Sequence, residues 1–99
     1  MKKYMLLYKG PATPPNASHE NWPAWFNKLG DQLVSVGSPM DHSFALHRDS
    51  TKHNATTNLN GYSIIQAENE NVVRKLVKDH PYLAQGSDGY TIEIFELAR

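Results

Sequence analysis

The stretch Ser18 to Pro39, SHENWPAWFNKLGDQLVSVGSP, carries the clearest helical pattern in the chain. Trp22, Trp25, Phe26, Leu29, Leu33 and Val36 recur at spacings of three and four, so a helix would present all six on one face. A face that apolar needs a sheet to cover it. Ser18 suits the N-cap, because its hydroxyl can accept a bond from an orphaned backbone N–H of the first turn. Pro23 falls early, where a missing N–H costs little, Gly30 is a mild weakness in the middle, and Gly37-Ser38-Pro39 ends the pattern. His19 falls in the first turn, at the positive end of the helix dipole. That position disfavours the imidazolium and favours a neutral ring able to accept a proton.

Working outward, Lys3 to Tyr8 reads as a strand that ends at Gly10-Pro11. Tyr4, Leu6 and Tyr8 alternate with Met5 and Leu7, so both faces of this strand are apolar. Residues 9–17, KGPATPPNA, form a stiff, irregular connection to the helix. Beyond the helix, Met40 to Leu46 suggests a second strand, with Met40, His42, Phe44 and Leu46 on one face. Arg48 to Asn60 has almost no apolar side chains and reads as an exposed hairpin connection. Tyr62 to Ala67 is a third strand, again apolar on both faces. Asn69 can cap a second helix from about Glu70 to Asp79, whose Val72, Val73, Leu76 and Val77 form the buried stripe. His80-Pro81 stops that helix, and a turn at Gly86-Ser87-Asp88-Gly89 leads to a fourth strand, Tyr90 to Leu97.

The resulting order is strand, helix, strand, strand, helix, strand. With right-handed crossovers it predicts a single α+β domain over residues 1–99: a ferredoxin-like βαββαβ fold with a four-stranded antiparallel sheet. Both helices belong on one sheet face. The apolar residues on the other face then need a partner, and a second copy stacked on it predicts a homodimer with twofold symmetry.

A chain of this length buries only roughly 60 to 65% of its unfolded surface, so association would help it. Ten Lys and Arg balance ten Asp and Glu and are spread along the sequence, which argues against nucleic acid and anionic membranes as partners. There is no cysteine, hence no disulfide or thiol chemistry. The short apolar run after the opening lysines reads as a strand rather than a signal segment, and the expected location is the cytoplasm.

These pieces resemble the YCII-related family of small dimeric α+β barrel proteins. The resemblance covers nearly the whole chain: the opening KKYMLLYKG, a histidine at the start of the first helix, glycine and proline just after it, then GYSIIQAEN, HPYL and the closing TIEIFEL. The Asp-Gly-Pro-Phe motif of one branch is missing here. The resemblance implies a pocket near a dimer interface and, in some relatives, a histidine and aspartate pair that does dehalogenation or lyase-type chemistry on hydroxylated rings. Other relatives resemble regulatory or accessory proteins.

His19 is accordingly the candidate general base, against the alternative of a partly exposed histidine at a helix start. Asp31, twelve positions on, would lie roughly 18 Å along the same helix and cannot orient its ring. Asp41 is the better candidate acid, against the alternative of an exposed turn residue. Tyr4, Tyr8, Trp22, Phe26 and Tyr82 are candidates to border a ligand, although each also suits packing. His80, at a helix C-terminus, is expected to be a charged cap. His42, His47 and His53 match no metal-ligand spacing, so no metal and no cofactor is expected. Two readings result: a cofactor-free lyase or isomerase acting on an apolar or aromatic metabolite, and a non-catalytic small-molecule-binding or accessory domain. A haem- or quinone-handling oxygenase rests on analogy of fold alone.

Overall fold

The computed structural model describes residues 1–11, 21–83 and 89–98. The Ser18 cap, His19, most of the proline-rich connection and the turn at 86–88 lie outside the described residues. Within them the main elements are β1 (Lys2–Lys9), α1 (Asn21–Leu29), β2 (Leu33–Pro39), β3 (Ala45–Leu46), β4 (Lys52–His53), β5 (Leu59–Ala67), α2 (Glu70–Val77) and β6 (Thr91–Glu96). Four of the strands form one sheet in the order β2-β5-β1-β6, with every neighbouring pair antiparallel. Taken in chain order, the sheet strands lie second, third, first, fourth, which is the ferredoxin-like arrangement the sequence implied.

The helix boundary in the first half differs from expectation. Gly30 sits at φ +55°, a left-handed conformation that stops α1, and a 3-10 turn over Gly30–Gln32 leads straight into β2. The Gln66 side-chain amide donates to the Asp31 carbonyl at 2.7 Å and ties this turn to β5. Leu33 and Val36 therefore leave the helix; Leu33 pairs with Ile65 in the sheet. The true second strand is Leu33–Pro39, not Met40–Leu46. The alternating apolar residues from Met40 onward cannot take the place beside β5, because β2 already fills it. Only Ala45–Leu46 is extended and paired, and it joins Lys52–His53 in a separate two-stranded ribbon that leaves Phe44 and Leu46 exposed.

α2 follows expectation more closely. Asn69 adopts extended backbone and its side chain accepts from the Val72 N–H at 3.1 Å, an ordinary N-cap. Val73 and Val77 are buried. The core lies between sheet and helices, where Tyr4, Leu6, Ile65 and Ala67 meet Trp25 and Leu29 of α1 and the two valines of α2. The Trp25 indole donates to the Leu76 carbonyl at 3.1 Å, using one of the carbonyls that the end of α2 leaves unpaired. Residues of opposite parity on the same strands face away from the helices. The register places Met5 beside Ile64 and Phe95, and Leu7 beside Tyr62. Phe95 is 52% exposed on this open face.

Candidate functional site

A cavity of about 380 Å³ opens between α1 and one end of the sheet. Tyr8, Trp22 and Phe26 form its aromatic wall; Val36 and Pro39 of β2, with Asn60 and Tyr82, line much of the rest. The helix-to-strand turn at Gly30 matters here, since it carries the chain from the Trp22–Phe26 side of the cavity to the β2 side. Gly37, at φ +75°, brings β2 so close to β5 that a Cβ there would collide with the Tyr62 carbonyl.

Behind the aromatic wall lies a buried hydrogen-bond chain whose direction can be assigned. His80 is 1% exposed. Its Nδ1 accepts from the Tyr82 backbone N–H at 2.9 Å, so in the neutral ring Nε2 carries the hydrogen and donates to the Tyr8 hydroxyl at 3.0 Å. Tyr8 in turn donates to Ser63 Oγ at 2.7 Å, and Ser63 donates to the Val36 carbonyl at 2.8 Å. The chain thus runs from the end of α2 across the sheet to β2. The rings of Trp22 and Trp25 lie 4.6 and 4.1 Å from the imidazole, centre to centre. Burial pushes the His80 pKa down to about 4 and the Tyr8 pKa up to about 12. His80 is therefore a neutral, doubly bonded core group. The expectation of a charged cap fails because the ring points into the core instead of back along the helix axis.

Tyr82 is fixed differently. The Asn60 side-chain amide donates to the Tyr82 hydroxyl at 2.9 Å and to the Pro11 carbonyl at 2.8 Å. A carbonyl oxygen can only accept, so the atom facing Pro11 is the nitrogen and the amide orientation is settled. Burial raises the Tyr82 pKa, with the Asn60 bond opposing and Tyr90 adding to the rise.

Of the residues expected from sequence to border a ligand, Tyr8, Trp22, Phe26 and Tyr82 line this cavity. Tyr4 does not; it is buried in the core further along β1. Asp41 is exposed and lines an adjoining cavity that shares Pro39 and Asn60 with the first. His19 lies outside the described residues. His47 and His53 stack at 3.7 Å on the small β3–β4 ribbon, away from the cavity. Among the described residues no group of three or more histidine or acidic side chains is placed to hold a metal ion, and no helix is long and apolar enough to cross a membrane. Sequence reasoning missed Asn60, Ser63 and the inward turn of His80. The spacing of His80 and Tyr82, which lets a backbone N–H reach the ring nitrogen two residues back, was the available signal.

Fold and site together define an α+β protein with a ferredoxin-like four-stranded antiparallel sheet and a cavity beside its first helix. No family model matches the chain, and no curated protein matches it. Among solved structures it is similar to 5-chloro-2-hydroxyhydroquinone dehydrochlorinase from Burkholderia phenoliruptrix AC1100, in complex with 2,5-dihydroxybenzoquinone. The TM-score is 0.57 at 16% identity, over 96% of this chain and 92% of that one. At that identity the likeness speaks to fold.

Proposed function

We propose that this chain is a YCII-like small-molecule-binding protein that takes a flat apolar or aromatic metabolite into the cavity beside α1. The observation that carries this reading is the cavity itself: the rings of Tyr8, Trp22 and Phe26 give a ring-shaped ligand surfaces to stack on, and the side chain of Asn60 is among the polar groups at its lining. The similar fold of an enzyme solved with a hydroxylated quinone supports the same ligand class. In this reading His19, three residues before Trp22 in sequence, takes a proton from the bound molecule, and Asp41 orients its ring. The reaction is then a cofactor-free elimination or isomerisation.

A second reading, binding without catalysis, has its own support. Tyr8 and Tyr82 are held protonated by burial and both His80 nitrogens are engaged, so none of these three buried groups is poised as a base at neutral pH. Proton abstraction therefore depends on His19. The two readings separate in one experiment: screen hydroxylated aromatics by titration against the wild type and His19→Ala, following binding and turnover together. Catalysis predicts that the variant binds and does not turn over. Binding by both proteins with turnover by neither supports the binding domain.

The open sheet face carries the second part of the proposal, a homodimer. Met5, Leu7, Tyr62, Ile64 and Phe95 lie together there, and a second copy would cover them. Light scattering of wild type at micromolar concentration should give twice the chain mass, and Phe95→Lys should give the monomer.

A further inference from the structure

The second cavity, about 670 Å³, adjoins the aromatic one and differs from it in chemistry. Tyr8, Trp22 and Phe26 give the first its rings, whereas Asp41, His42, Ser43, Thr57 and Asn58 give the second a run of polar side chains. Pro39 and Asn60 line both. They stand where the β2–β5 pairing ends, and the Met40 N–H donates to the Asn60 backbone carbonyl at 2.9 Å, so the boundary between the cavities is held from both strands.

Charge and hydrogen-bonding sense agree across this boundary. Among the described residues that line the two cavities there is no lysine or arginine, and Asp41 is the only carboxylate. A cation in the second cavity is attracted whichever way that exposed side chain turns, because its field reaches about a Debye length, roughly 8 to 10 Å. Asn60 commits both side-chain amide hydrogens, to the Pro11 carbonyl and the Tyr82 hydroxyl, so what its side chain has left for a ligand is the carbonyl oxygen, an acceptor. Both groups call for a donor. We propose that the two cavities form one bipartite site for an arylalkylamine, with the ring in the aromatic cavity and the protonated amine in the second, within the field of Asp41. The proposal rests on the ligand-binding reading above in its form without catalysis, where Asp41 serves the ligand rather than His19. A tail ending in a carboxylate would meet a like charge and no cation, which sets the specificity against acids of the same shape.

Three probes share a ring and a tail: 3-phenylpropylamine, 3-phenylpropan-1-ol and 3-phenylpropionate. Phenol supplies a ring without the tail. In calorimetric titrations at low salt and mildly alkaline pH, the wild type should bind the amine about twofold to fivefold more tightly than the alcohol, the worth of an exposed ion pair, and the acid most weakly. The preference should shrink as salt is raised toward about 1 M, where charges act over roughly 3 Å. Asp41→Asn should bring the amine down to the level of the alcohol and leave the alcohol unchanged. By NMR, the Trp22 indole N–H should shift with phenol and with the amine, and the Thr57 and Asn58 backbone amides with the amine alone. Equal affinity for amine, alcohol and acid, a preference for the amine that survives Asp41→Asn, or an amine that leaves Thr57 and Asn58 unmoved would each overturn the bipartite site while the ligand-binding reading stands. If neither phenol nor any tailed probe binds, both fall together.

Discussion

The two βαβ halves of the sheet end their helices in different ways. α2 begins at a side-chain cap, Asn69, and ends where His80 turns into the core and takes up two hydrogen bonds. α1 ends at Gly30, whose backbone conformation alone stops it, and continues into β2 with only a 3-10 turn between. One helix is delimited by side-chain chemistry and the other by backbone geometry. The two halves should therefore respond to substitution in different ways.

The largest effect belongs to the first half. Gly37→Ala would combine a left-handed backbone with a collision against the Tyr62 carbonyl, at a strand crossing that cannot open without losing the β2–β5 pairing. We expect a loss on the order of 4 kcal/mol in urea unfolding, or failure to fold. A change comparable to an ordinary surface substitution would mean that β2 does not run where it is placed.

The second half should show its signature in acid. His80 is held below its ordinary pKa, so the unfolded chain binds the proton more readily than the folded one. The contribution is complete above the unfolded value near 6.5 and is lost as the pH falls toward about 4. The loss over that window is roughly 3 kcal/mol. Replacing the imidazole with a ring that does not titrate, His80→Phe, should lower stability at neutral pH and flatten this slope between pH 6.5 and 4 in urea melts. An unchanged slope would remove His80 as its source.

The smallest effects test the helix ends directly. Gly30→Ala meets no neighbouring atom and costs only the left-handed strain, roughly 1–2 kcal/mol. Asn69→Ala should cost about 1 kcal/mol through the lost cap. Circular dichroism of Asn69→Ser should recover the cap, whereas Gly30→Asn, which tolerates the left-handed region, should recover most of the other loss.

The same contrast explains what could be read from the sequence. Asn69, the valine stripe and His80-Pro81 are local signals, and the second helix and its flanking strands were legible from them. In the first half Leu33 and Val36 continue the helical spacing of Trp22, Trp25, Phe26 and Leu29, so periodicity ran past the true boundary. The deciding event was a single backbone angle at Gly30, and glycine is compatible with either outcome. Among the aromatic residues lining the cavity, Trp22 and Phe26 were legible as candidates from the helical spacing and Tyr8 from its place on the first strand, while Tyr82 came from the resemblance that runs through HPYL. The roles of Asn60 and Ser63 were not legible, because they depend on partners 22 and 55 residues away in sequence.

One further consequence concerns the margins of the sheet. β2, at one border, breaks register with β5 between Leu33 and Ser35 and again between Ser35 and Ser38, and it ends at a proline with no N–H to offer. β6, at the other border, carries Glu93 and Glu96 in ion pairs with Lys9 and Lys2. Bulges, proline and charge are the features that discourage a foreign strand from adding to an open edge. Growth of the sheet into a ribbon or fibril is opposed at both borders, and chains meeting in solution are directed toward contact through faces.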